Sequence, residues 1–441
     1  QMEYLPDGIT ESLIGSLSQL PDLVVMARNT VFTYKGREVD PRRVGNDLKV
    51  RAVVTGRVRR QGERLLISVE LADTATGARL WGEDYEPPLA DLLTVEREIT
   101  REISEALRPR LSGVEQRQIA KRQSANSEAY RLYLLGRYSF LQEPNAGYEK
   151  VLAYYKQAVA LDPNYALAHA GVSDVYSAIS SAILPPAEAM PKARQAALTA
   201  IRLDESLPEA HYSMAVVKVW GDWDWAGGER EFKRAIELNP SFVLARAQYG
   251  ALLASEGRFE EALSEARQAQ DLTPLSPQAT SSLGRILFLA GRYDEAVTHF
   301  RKMIDINPNG FGAHLYLGRV LSQQGKHQEA ISELRRMFDL NRGHSSRAWL
   351  AHGLARAGRR NEALQLLREL EALSRRERVS PVYIARIYSG LGDRDRAITW
   401  LQKAYDEHSD HVLSIGRDPA YDPLRSDPRF IKMLRGIGLP Q

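Results

Sequence analysis

The chain has 441 residues, 44% hydrophobic and 26% charged, with 59 basic against 56 acidic side chains. That composition belongs to a folded globular chain of about three domain equivalents. Its charge balance argues against a nucleic-acid reader, which concentrates basic residues in a stripe. The absence of cysteine excludes disulfides, thiol catalysis, iron–sulfur clusters and Cys-type zinc sites and leaves the redox compartment open.

The opening QMEYLPDGITESL is polar and acidic, unlike a secretory leader, and reads as the middle of a domain cut from a longer protein. Ile9, Leu13, Ile14 and Leu17 form one helical face. The run DLVVMA at 22–27 predicts a strand, and Pro41 to Leu48 a short helix. RAVVTGRV and RLLISVELAD flank Gln61–Gly62 as a tight hairpin, and ARLWGEDY follows as a third strand. A helix from about 90 to 108 carries Leu92, Val95, Ile99 and Ile103 on one side.

Residues 1–111 are thus a small α/β domain. EYLPDGITESLI, ARNTVFTYKG, VGNDLKVRAVVTGRVRR and LADTATGARLWGEDYE resemble the TolB-type amino-terminal domain. The resemblance implies a bacterial signalling protein with a serine/threonine kinase, nucleotide cyclase or winged-helix domain upstream, the wording being most similar to the kinases, often with a membrane span between. It also implies an apolar strand ahead of Gln1, so an exposed sheet edge and self-association through it are expected. Residues 112–127 read as a linker or connecting helix.

From there a period governs the chain. Pro240, Pro274 and Pro308 are 34 residues apart, and Gly257, Gly291 and Gly325 keep the same step, the frame continuing through Gly358 and Gly392 after steps of 33 and 34. Ala262, Ala296, Ala330, Ala363 and Ala397 follow five residues after each glycine. The glycine ends one helix in a left-handed backbone, the alanine lets the next helix cross it closely, and the proline stops that second helix. These segments resemble tetratricopeptide repeats, most closely over 243–342, although Arg342 stands where the sixth unit's proline belongs. The predicted fold is mainly α: an α-solenoid of about eight such hairpins over 128–415, behind the α/β domain. Residues 416–441 form a capping helix and tail that cover the last apolar face.

Signatures of chemistry are missing. No phosphate loop, dinucleotide fingerprint, HExxH, GxSxG, HRD or DFG run occurs. No enzyme activity, cofactor or metal is expected, and any kinase or cyclase domain would lie upstream. His408, Asp410 and His411 read as a solvated loop. Trp220, Trp223 and Trp225 pack at a hairpin junction or form an aromatic ligand platform.

In the repeat family the first helix of each hairpin lines a concave wall, which places Ala251, Arg285, Arg319, His352 and Arg386 at one inward position, with Phe288 and Ser322 nearby. Either the arginines pair with acidic residues of adjacent helices, or they form a basic ladder for an acidic peptide. The expected function is a non-catalytic scaffold or sensory region binding a partner protein or peptide, with no nucleic acid and no membrane span in this chain. The alternative is a module sensing a small molecule or glycan through the α/β domain or the tryptophans.

Overall fold

The structure is a computed structural model describing residues 4–20, 23–37, 40–88, 91–107, 124, 126–142, 147–180, 183–274 and 277–439. The first domain sets helices α1 (Tyr4–Leu17) and α4 (Leu92–Leu107) on a sheet of β1 (Ala52–Gln61), β2 (Arg64–Asp73) and β3 (Arg79–Tyr85), with a turn of helix α2 (Arg28–Val31) and α3 (Pro41–Leu48) between α1 and β1. The sheet is antiparallel, with β2 central. Strand alternation sends Leu65, Ile67, Val69 and Leu71 of β2 to one face, where Leu5 and Ile9 of α1 and Ile99 and Ile103 of α4 share a core with the first three. Ile67 faces Val58 and Leu71 faces Val54 in register. Gly62, with φ +63°, makes the tight turn between β1 and β2.

Residues 23–27 are not a strand; 21 and 22 lie outside the described residues. A strand needs a neighbouring ladder, and here the Ala27 amide donates instead to the Leu272 carbonyl, 3.1 Å away in the repeats. β1 is left as a sheet edge whose Val54 and Gly56 are exposed. Of the connecting segment 112–127, only 124, 126 and 127 are described.

Eight helical pairs follow among the described residues: α5/α6 (Ser127–Gln142, Tyr148–Leu161), α7/α8 (Ala166–Ile179, Pro186–Leu203), α9/α10 (Pro208–Val216, Trp225–Leu238), α11/α12 (Val243–Glu256, Phe259–Leu272), α13/α14 (Pro277–Leu289, Tyr293–Ile306), α15/α16 (Phe311–Gln323, His327–Leu340), α17/α18 (His344–Arg356, Arg360–Leu373) and α19/α20 (Pro381–Gly390, Arg394–Asp406). The five marker glycines have φ between +74° and +85°. The five marker alanines are fully buried, at 0–1% exposure, where the helices cross. Gly325 has open space where a Cβ would go, so Gly325→Ala isolates the backbone strain of a left-handed residue. It is expected to cost about 1–2 kcal/mol, read as a lower urea midpoint at unchanged slope.

A second periodic device joins the pairs. Arg246 Nε donates to the Pro240 carbonyl (2.9 Å) and Nη1 to Glu265 (2.7 Å). His211 bridges the Glu205 carbonyl (2.8 Å) and Glu231 (2.7 Å), and His314 bridges the Pro308 carbonyl (3.0 Å) and Glu333 (2.6 Å). Burial opposes the charge on His211, but its two acceptors outweigh that and raise its pKa. Each basic side chain thus ties the loop entering a hairpin to that hairpin's second helix.

After α20 the chain does not simply cap the last pair. Two 3₁₀ turns, Asp410–Ser414 and Pro419–Leu424, lead to α21 (Pro428–Ile437). Val412, Ile415, Tyr421, Leu424 and Phe430 are fully buried and share one core with repeat side chains as far back as Tyr212. The reason is the repeat curvature: superhelical stacking turns the inner wall round on itself, and the tail fills the space.

Candidate interaction site

The inner wall is built from the first helices of the pairs, and its central feature is a stack of alternating rings and guanidinium groups. Arg319 of α15 lies 4.5 Å from the Phe288 ring centre of α13 and 3.9 Å from the Trp349 ring centre of α17. Arg386 of α19 sits 3.8 Å from the same Trp349 ring and 5.6 Å from Tyr383. Four successive inner helices are therefore threaded by cation–π contacts, which strengthen when removed from water. His352, one turn beyond Trp349, donates from Nδ1 to the Arg386 carbonyl at 3.0 Å. Burial pulls its pKa down to about 4, with Arg386 and Arg356 adding to the effect, so the ring is neutral.

Of the ladder residues, only Arg285 is half-buried; Phe288, Arg319, Ser322, His352 and Arg386 are buried. The chain's own tail covers them. Asp418 places a carboxylate oxygen 2.8 Å from Arg319 Nη2, with side-chain exposures of 8% and 5%. The contact lacks hydrogen-bond alignment, yet at that distance and burial it is an ion pair. Ser389 donates to the Ala420 carbonyl at 2.6 Å, and the Tyr421 hydroxyl to the Val382 carbonyl at 3.4 Å. A water-sized gap remains between Phe288, Arg319, Ser322, Trp349, His352 and Asp418. For Arg319, neither sequence alternative described the carboxylate: it comes from the tail, not from an adjacent helix or a second molecule.

The tryptophans do not share one surface. Trp220 meets Phe232 edge-on at 6.2 Å. Trp223, at φ +58°, stacks on His408, itself at φ +52°, with ring centres 4.1 Å apart. Trp225 is buried and donates from Nε1 to the Ile437 carbonyl at 2.7 Å. Trp223 and Trp225 thus hold the two ends of the tail segment. The side chains of Asp410 and His411 lie outside the described residues.

The same chemistry occurs at the other end of the wall. Arg137 follows Gly136 as Arg319 follows Gly318, and it ion-pairs with Glu11 of α1. Gly8 of α1 faces Leu134, and Tyr130 donates to Glu96 of α4. The shared Gly-Arg step was the signal that could have found Arg137; no spacing pointed to Glu11 or Asp418. Among the described residues, no group of three or more His, Asp or Glu side chains is placed to hold a metal. No described helix is long and apolar enough to cross a membrane.

Comparison with known proteins places tetratricopeptide repeats in this chain. One such family model matches residues 223–277 and 252–311, and others match 287–353, 344–369 and 384–407. A protein of Rhizobium meliloti (strain 1021) named "Putative adenylate cyclase 3" is 36% identical over 221 residues, 49% of this chain; the match spans 37% of that relative's length. Among solved structures, yeast Tom70 is 16% identical with a TM-score of 0.46, covering 72% of this chain and 69% of its own. The Cut9 and Hcn1 tetramer of APC/C is 14% identical with a TM-score of 0.46, covering 79% and 63%.

Proposed function

We propose that this tetratricopeptide-repeat chain is a non-catalytic interaction region of a bacterial signalling protein, holding a partner protein or peptide against the inner wall of its repeats. The observation that carries the reading is the stack from Phe288 to Tyr383, in which two guanidinium groups and three rings line four successive inner helices. Such a wall recognises carboxylates and apolar anchors by shape and charge. A signalling setting is supported by the relative named for an adenylate cyclase, of whose length the match covers 37%. A cyclase or kinase domain would then lie outside this stretch, and the TolB-type domain would serve as the module that seats on the first repeats. The small-molecule or glycan reading is less favoured, because Trp223 and Trp225 are occupied by His408 and Ile437.

Arg285 is the ladder member to test, being half-buried where the others are covered. Partner proteins captured from a bacterial lysate by the wild-type chain should be lost with Arg285→Glu, and the loss should weaken as salt rises. Equal capture by both would remove the inner wall from the reading. Self-association through the exposed β1 edge is a separate part of the proposal. Light scattering should then show dimers whose population falls with Val54→Lys, and a strict monomer at high concentration would overturn it.

A further inference from the structure

We propose that residues 409–439 are a built-in competitor for the inner wall, occupying the place of an acidic segment of the partner protein; this rests on the interaction reading above. Three observations lead there. The segment already binds as a ligand would: one carboxylate, Asp418, meets Arg319, and Ile415, Tyr421 and Leu424 beside it are fully buried anchors.

Its charge is a poor match, however. Arg319 and Arg386 flank Trp349, and Asp418 answers one of them; among the described residues no carboxylate forms an ion pair with Arg386. The segment's own cation, Arg417, stands away from this pair, against the Gly257 turn and beside Arg425. A segment with a second carboxylate reaching Arg386, where the Tyr421 side chain now stands, would fit better.

The polar seam is also incompletely satisfied. Among the described residues, Arg386 Nε and Nη1, on the wall the segment covers, are buried without a hydrogen-bond partner. Natural interiors leave few such atoms, and each disfavours the state that contains it. One end of the segment enters through Trp223 and His408, both non-glycine residues in left-handed backbone, a conformation retained only where surrounding packing enforces it.

The test uses the full chain and a fluorescein-labelled synthetic peptide of residues 414–426 carrying Tyr421→Glu, which puts the second carboxylate at Arg386, followed by anisotropy. Asp418→Asn weakens the internal occupant, and the chain bearing it should bind the peptide at least tenfold more tightly than wild type. Adding Arg386→Met should remove that gain. Equal affinity of wild type and Asp418→Asn, or no binding to either while circular dichroism shows both folded, overturns the proposal.

Because the chain contains no cysteine, Ser389→Cys with Ala420→Cys supplies a lock free of other thiols. Oxidation should abolish peptide binding to the Asp418→Asn chain, and reduction should restore it. Binding unaffected by the lock also overturns the proposal. A lysate partner retained equally by locked and unlocked chains would leave the interaction role standing and eliminate the competitor.

Discussion

Asp418→Ala is expected to lower the unfolding free energy by about 3–5 kcal/mol, the cost of leaving one member of a buried ion pair without its partner. The residue left behind is Arg319, 8% exposed and enclosed by Phe288, Tyr316 and Trp349. Cation–π contact with three rings offsets part of that burial but supplies no counter-charge. Asp418 also caps the turn that follows it, accepting from the Ala420 amide at 3.0 Å, and loss of such a cap costs about 1 kcal/mol. Asp418→Asn keeps the cap and should cost less.

Arg319→Met with Asp418→Leu should recover most of the loss, because replacing both partners of a buried pair by apolar groups is often neutral. Urea unfolding of the four proteins of a double-mutant cycle measures the coupling. If the Asp418→Leu and Arg319→Met costs add within about 0.5 kcal/mol to the cost of the double variant, the two are not coupled and the ion pair contributes nothing.

The repeats were legible because they are local and periodic. Gly257 through Gly392 announce left-handed turns, and Ala262 through Ala397 announce close crossings, from spacing alone. The hairpin at Gln61–Gly62 and helix α4 were equally readable, since alternation and a one-sided apolar face are properties of short windows. DLVVMA misled for the complementary reason: β-rich composition makes a strand only where a neighbour offers a ladder, and Ala27 finds its partner on Leu272, far along the chain. A window of sequence contains no information about that partner.

The site was half legible on the same grounds. Register placed Arg319, His352 and Arg386 at one position of successive helices, and they do lie on a shared wall with Trp349 between the two arginines. Nothing local foretold that the tail would return across it, because Asp418, Tyr421 and Trp225 meet only after the superhelix has curved through several pairs. DPAYDPLRSDPRF reads as a cap by its apolar residues, and its destination depends on the summed twist of every pair before it. The tryptophans read as junction packing or as a ligand platform, and neither reading named the tail, for the same reason: the partners of Trp223 and Trp225, His408 and Ile437, stand near the far end of the chain.

Raising the pH from 5 to 8 is expected to weaken the seating of the α/β domain on the first repeat, through Glu96. This carboxyl is 1% exposed, between α4 and α5, with the Tyr130 hydroxyl donating to it. Burial pushes its pKa to about 7, against the hydrogen bonds of Ser12 and Tyr130 and the charge of Arg97, which act in the opposite direction. A carboxyl raised in the folded state binds its proton more tightly there than in the unfolded chain. Its contribution is therefore full below the ordinary 4.5 and is lost progressively as pH rises through about 7. A rise of that size corresponds to roughly 3 kcal/mol. Asp174, also pushed to about 7 by burial, is half-open at its surface and adds less in the same direction. Glu96→Gln keeps an amide of similar shape that cannot ionise, so it should match wild type at pH 5 and exceed it by up to about 3 kcal/mol at pH 8. Parallel stability curves for the two proteins across that range would show that Glu96 is already ionised in the folded chain, and that Tyr130 and Ser12 hold a carboxylate in place without a pH-dependent cost.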